Sequence, residues 1–261
     1  MTDFIKLDVV DGIATMTMNS PATRNAVAYD EQHSAIADAC HTITKDRAVR
    51  CVILTGAGTA FSAGGDIKGM LQRLSDPNLE AIENRYLYKE GIHRIPVAIY
   101  DLEVPVIAAV NGPAIGAGLD LACMCDIRIA GRSAKFAESF VTLGIIPGDG
   151  GAYFLQRLVG PSKAAELTFT GRTIGADEAL ACGLVSSVVD DAELMDKARE
   201  MAAQIARNPG YALRMSKRLM REAQDSNLKS VLELSAAFQA LSHATGEHKE
   251  LLSAAVARLK R

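Results

Sequence analysis

Two glycine-rich stretches decide how this chain is read: Thr55-Gly-Ala-Gly-Thr-Ala-Phe-Ser-Ala-Gly-Gly-Asp-Ile-Lys68 and Asn111-Gly-Pro-Ala-Ile-Gly-Ala-Gly-Leu-Asp-Leu-Ala122. Each follows a short apolar run, Arg50 to Leu54 and Val104 to Val110, that reads as a buried strand. Glycine carries no Cβ, so a glycine-rich strand exit can leave backbone N–H groups facing a ligand. The plain alternative is a pair of tight turns. Each stretch also runs into an acidic residue, Asp66 and Asp120, which brings the site reading level with that of turns alone.

Outward from these exits the chain alternates strand and helix. Phe4 to Val10 and Ile13 to Met18 alternate in polarity around Asp11-Gly12, the residue pair of a type I′ hairpin turn. Tyr29 to Thr44 has helical spacing. The polar stretch Gln72 to Arg94 reads as a helix with a mobile approach at Ser75-Asp-Pro77, and Gly116 to Ala122 as a short helix. Ile127 to Ala130 and Leu184 to Val189 read as strands, and Pro161 opens a helix that Gly171 closes. Beyond Ala192 no strand-like run recurs. Leu194, Ala198, Met201 and Ile205 share one helical face, as do Leu228, Val231, Ser235, Phe238 and Leu241. The expected organisation is an α/β body over 1–191 and a helical region over 192–261, whose apolar faces must pack on the body or on another subunit.

Composition narrows the function classes. Lys and Arg number 28 against 31 Asp and Glu, so no basic field points to nucleic acid or an anionic membrane. The most apolar stretch, Val104 to Leu119, is broken by two prolines, Asn111 and three glycines, which excludes a membrane helix there. The start lacks the basic and unbroken apolar character of a signal peptide, and five cysteines fit a reducing cytoplasm better than a disulfide framework. Cys123 and Cys125 lack a second pair or a nearby histidine, so they read as buried thiols and no metal site is expected.

Three other chemistries can be weighed. Gly56-Ala-Gly58 begins a dinucleotide fingerprint, but Phe61 stands where the third glycine belongs. Ala60-Phe-Ser62-Ala-Gly64 approaches the nucleophile elbow of a serine hydrolase, with Asp149 or Asp177 and His243 or His248 as partners, though Ala60 replaces the first glycine. His243 and His248 are five apart, not four, which disfavours a zinc helix and leaves surface histidines.

Taken in order, Pro21-Ala-Thr-Arg-Asn25-Ala26, Val52 to Gly58, Phe61-Ser-Ala-Gly-Gly-Asp66-Ile67, Val110 to Gly118, Cys125-Asp126-Ile127 and Leu143-Gly-Ile-Ile-Pro-Gly-Asp-Gly-Gly151 resemble the crotonase (enoyl-CoA hydratase/isomerase) superfamily over nearly the whole chain. Leu167 to Gly171 and Ala179 to Val185 extend the match. The resemblance implies a spiral of ββα units, a C-terminal helical trimerisation region, trimers or hexamers, and an acyl-CoA thioester substrate with no further cofactor. It places oxyanion donors at the N–H groups of Gly65 and Ala117. It also puts Thr23, Arg24, Ala26, Ala63, Asp66, Ile67 and Phe140 along the CoA and acyl path. Asp66 could equally cap a helix.

Two preorganised donors would stabilise a thioester enolate, each by about 3 kcal/mol. The acid/base positions match less fully. Hydratases of the family carry two glutamates; the first position is Asp120 here, and the second is Phe140, which carries no transferable proton. Glu138, two residues earlier, would point the same way as Phe140 on an extended segment, and Asp149 lies in a loop that lines the pocket in relatives. Their plain readings are a surface salt bridge and a turn aspartate. The sequence therefore suggests an enoyl-CoA hydratase with Asp120 as the first acid/base and Asp149 the second. The alternatives are an enoyl-CoA or ring acyl-CoA isomerase with one carboxylate, a serine hydrolase, and a non-catalytic acyl-CoA binder.

Overall fold

The computed structural model describes residues 4–77 and 80–259. The first part of the chain forms β1 (Ile5–Val10), β2 (Ile13–Met18), α1 (Asp30–Lys45), β3 (Cys51–Gly56), α2 (Ile67–Leu74), α3 (Ala81–Glu90), α4 (Arg94–Asp101), β4 (Val106–Val110), β5 (Ala114–Ile115) and α5 (Ala117–Met124). Next come β6 (Ile127–Gly131), β7 (Lys135–Ala137), α6 (Gly151–Val159), α7 (Pro161–Thr170), β8 (Thr173–Gly175), α8 (Ala176–Ala181) and β9 (Ser187–Val189). The chain ends in α9 (Leu194–Ala206), α10 (Gly210–Glu222), α11 (Leu228–His243) and α12 (Gly246–Leu259).

Six strands form one sheet in the order β1-β2-β3-β4-β6-β9, and β5-β7-β8 form a second. The β1–β2 hairpin is antiparallel, and its turn residues Asp11 and Gly12 both have positive φ, as a type I′ turn requires. From β2 onward the large sheet is parallel. The path repeats: β3, then Ser62 bridging to Ala114, then α2; β4, β5, α5; β6, β7, α6. Each repeat sets one strand in the large sheet and one short pairing in the small one before a helix. This is the ββα spiral that the resemblance implied.

Every residue of β3 and of β4 is buried, because both faces of the sheet are covered. Successive side chains alternate faces. Val52, Leu54, Val106, Ala108 and Val110 join the core under α1 and α4, while Cys51, Ile53, Ile107, Ala109 and Ile129 meet Leu194, Ala198 and Ala202 of α9. Thus α9 covers the back of the sheet. The next helix, α10, docks through charge: Arg214, Lys217 and Arg221, at i, i+3 and i+7, are its buried residues. Lys217 Nζ lies 2.7 Å from Asp126 and donates to the Val104 carbonyl at 2.7 Å, while Arg221 reaches the other Asp126 oxygen at 3.2 Å. Burial lowers the pKa of Lys217, and Asp126 opposes that shift.

Several boundaries differ from those expected. The single helix expected over Gln72 to Arg94 is α2 and α3 with a turn after Leu74, and positions 78–79 of it lie outside the described residues. The last strand is confined to Ser187–Val189. The small sheet went unread because its strands have two or three residues, too few to display a period. Among the described residues no helix is long and apolar enough to cross a membrane.

Candidate active site

The small-sheet pairing builds the site. Ser62 N donates to the Pro113 carbonyl at 3.1 Å, and Ile115 N to the Ser62 carbonyl at 3.0 Å, so the two glycine-rich exits run side by side. Gly64 has φ +78°, and a Cβ there would press on the Ile115 carbonyl and stand 3.2 Å from Ala117 N. This close approach brings Gly65 and Ala117 to one cavity. Their N–H groups donate to no other group among the described residues, and that of Ala117 opens α5, where the helix dipole favours negative charge. Two asparagines fix the first loop from behind. Buried Asn25 donates to the Ala57 and Ala60 carbonyls, both at 2.9 Å, and Asn111 donates to Gly58 at 3.0 Å and accepts from Gly56 N at 3.2 Å.

The cavity, about 240 Å³, is lined by Gly65, Asp66, Ala117 and Asp149 from the sequence-predicted set. Residues the sequence did not single out complete it: Val27 and Tyr29 from the segment leading into α1, His33 from its first turn, Met70 and Arg73 from α2, and Asn84, Leu87 and Tyr88 from α3. The aromatic cluster Tyr86-Leu-Tyr88 within an otherwise polar stretch was the available signal for α3. Asp66 both caps and lines: its carboxylate accepts from Lys68 N at 3.0 Å at the start of α2, and from the Tyr29 hydroxyl.

The three carboxylates separate into two environments. Asp149 lines the cavity and is buried, which pushes its pKa up to about 6; nearby His93 opposes the shift. Asp120 and Glu138 are almost fully buried beside each other and are not among the residues lining the cavity. A Cβ on Gly151 would collide with both carboxyls, and Gly151 N donates to Asp120 Oδ2 at 3.0 Å. Among the described residues no cation forms an ion pair with either carboxyl. With both groups ionised, Asp120 Oδ1 and both Glu138 oxygens would lack a donor. Protonation of one carboxyl removes the like-charge repulsion and gives the pair a donor. Burial and the Glu138 carboxyl hold Asp120 well above its ordinary 3.8, and burial lifts Glu138 to about 7.

Glu138 is therefore not in a surface salt bridge, and it does not point the same way as Phe140. Ser139 has φ −87° and ψ 5°, a helical turn in place of extended backbone, so the two side chains diverge. The Phe140 ring packs toward Gly116, where a Cβ would lie 3.6 Å from its Cζ. The other expected path residues border the site without lining the cavity: Thr23 and Arg24 are exposed, Ile67 is exposed at the start of α2, and Ala26 and Ala63 are half-buried. Ala63 N donates to the Arg24 carbonyl at 2.9 Å, which lays these segments side by side.

The serine hydrolase constellation does not assemble. Ser62 is buried, and its hydroxyl donates to the Asn25 carbonyl at 2.8 Å and accepts from Gly64 N at 3.2 Å. The proposed histidine partners, exposed His243 and half-buried His248, face each other, His243 Nδ1 and His248 Nε2 being 3.0 Å apart where α11 turns into α12. That turn brings them together although a single helix would separate them.

Comparison with known proteins agrees with this geometry. The family model described as enoyl-CoA hydratase/isomerase matches residues 8–260. The chain is 35% identical to the 1,2-epoxyphenylacetyl-CoA isomerase of Escherichia coli over 99% of this chain and 97% of that protein. It is 38% identical to the crotonyl-CoA hydratase of Syntrophomonas wolfei, covering 98% and 96% of the two chains. A crystal structure of an enoyl-CoA hydratase from Bacillus anthracis superposes with a TM-score of 0.90 at 32% identity, over 98% of this chain and 97% of that one. With the spiral fold, the paired glycine exits and a match over almost its full length, this chain belongs to the enoyl-CoA hydratase/isomerase family of enzymes.

Proposed function

We propose that the protein isomerises an unsaturated or ring-bearing acyl-CoA thioester through an enolate held by the Gly65 and Ala117 N–H groups, with Asp149 as the proton carrier. The observation that carries this reading is that, of the three carboxylates Asp120, Glu138 and Asp149, it is Asp149 that lines the same cavity as both donors. A carboxylate with a pKa near 6 is mostly ionised at neutral pH yet basic enough to accept a proton. In the proposed reaction Asp149 takes a C–H proton next to the activated system. The electron pair moves toward the thioester oxygen, and the proton returns to a different carbon as the pair moves back. No atom is gained or lost. Phe140 suits this one-carboxylate chemistry, since it carries no transferable proton at the position of a second acid.

Hydration is the second reading. The buried Asp120–Glu138 pair favours it, because a second proton-bearing group behind Gly151 could serve water addition if substrate binding brought it into contact with the cavity. The test is product analysis with a 3-enoyl-CoA and a conjugated 2-enoyl-CoA. Isomerisation converts the first into the second and raises the conjugated absorbance; hydration consumes that absorbance and yields a 3-hydroxyacyl-CoA. Rapid loss of the conjugated thioester, without turnover of the 3-enoyl substrate, would replace the isomerase reading by hydration. The reading further includes no cofactor beyond the CoA of the substrate, a cytoplasmic setting consistent with five unpaired cysteines, and assembly as a trimer or hexamer through the exposed leucines of α11 and α12.

A further inference from the structure

A second hollow lies on the far side of α3. It is an open groove between that helix and the loop leading to Asp149, and its apolar floor is Ile145 and Ile146. Ile146 is 76% exposed. Asn84 and Tyr88 line both hollows, so together they form the wall between them. The Tyr88 ring is held against the loop: a Cβ on Gly148 would sit 3.2 Å from its Cε1, and the His93 ring stands edge-on with centroids 6.0 Å apart. His93 in turn shares a hydrogen bond of 2.8 Å between its Nε2 and the Gly148 carbonyl. The wall is thus fixed to the backbone that presents Asp149.

We infer that Tyr88 is the specificity-determining residue for acyl length: its ring closes the reaction cavity at the distal end of the acyl group and separates it from the Ile145–Ile146 groove. The inference rests on the proposed acyl-CoA reading of the cavity. A short acyl group ends at Tyr88. A longer one must displace the ring, and beyond it would find the apolar surface of Ile145 and Ile146, with the aliphatic stems of Arg85 and Lys89 at the rim. Trimming the ring joins the two hollows and lets additional methylenes leave water.

The test measures calorimetric Kd values of saturated four-, eight- and twelve-carbon acyl-CoA thioesters with the full chain, which need no turnover. Tyr88→Ala should raise the affinity for the twelve-carbon thioester relative to the four-carbon one by about tenfold or more, the scale on which a pocket discriminates methylenes. Tyr88→Phe, which keeps the ring and removes only the hydroxyl, should leave the ratio unchanged. Tyr88→Leu, which keeps an apolar contact with Gly148, repeats the measurement if the alanine variant does not fold. An unchanged ratio in a folded Tyr88→Ala or Tyr88→Leu protein overturns the assignment. Absence of binding to every thioester overturns both it and the acyl-CoA reading, whereas normal binding without isomerisation would count against the reaction alone.

Discussion

Asp149→Asn should make the enzyme much slower and its fold more stable, and the two effects come from one cause. Burial raises the pKa of Asp149 from 3.8 to about 6. The folded state therefore holds the proton more tightly than the unfolded chain, and stability falls as pH rises through that window. A shift of about two units corresponds to about 3 kcal/mol of penalty once pH exceeds the folded value. Asparagine keeps the size and some hydrogen bonding but has no charge to bury. At about pH 8 the variant should gain up to about 3 kcal/mol in urea unfolding, or about 6–12 °C in Tm for a chain of this size. At about pH 4, near the unfolded pKa, the gain should shrink below about 1 kcal/mol. Turnover should fall by about 100-fold to 10,000-fold, and the acidic limb of the wild-type kcat/KM profile, centred near pH 6, should vanish from what remains. The assays are urea titrations at both pH values with protein concentration fixed, and a pH–rate profile on the substrate identified by product analysis. Equal stability of the two proteins at pH 8 would show that Asp149 bears no desolvation cost. Undiminished turnover would remove it as the proton carrier.

Ala117→Pro deletes one of the two cavity N–H groups at a helix position where proline is tolerated, so a folded variant should lose about 100-fold or more in turnover with near-native circular dichroism; unchanged turnover would count against the oxyanion assignment. Lys217→Met keeps the length of the side chain but leaves Asp126 with Arg221 as its remaining cation, and should cost about 2–3 kcal/mol in urea unfolding, below the value for a fully buried pair because Asp126 is partly exposed. A cost near zero would mean that charge does not fasten α10. Light scattering should give a mass of three chains or a multiple of three, since Leu228, Leu232, Leu241, Leu251 and Leu252 remain exposed on a single chain; a stable monomer at micromolar concentration would refute this.

Periodicity made the long elements legible. The alternation around Asp11-Gly12, the helical spacing of Tyr29 to Thr44 and the continuous apolar runs of β3 and β4 each follow from local physics, in which side-chain direction repeats every two or 3.6 residues. Elements of two or three residues have no period. That is why β5, β7 and β8, which align the two glycine exits, were not read. The buried face of α10 escaped for a different reason: Arg214, Lys217 and Arg221 are recognisable as buried only when their partners, Asp126 and a set of backbone carbonyls, are known.

At the site, the residue types alone supply the kinds of group available: glycine-rich backbone at two strand exits, three carboxylates nearby, and Phe140, which has no transferable proton. These are properties of residue type and spacing, and they hold before the chain folds. Which carboxylate meets the donors depends on how the chain folds. Asp120 is three residues from Ala117 in sequence, yet it turns behind Gly151 to lie beside Glu138, while Asp149, distant along the chain, lines the cavity with Ala117. The helical turn at Ser139 sends Glu138 and Phe140 in different directions. A carboxyl group has nearly the same pKa in every unfolded sequence; burial and neighbouring charges, which exist only after folding, set the three apart.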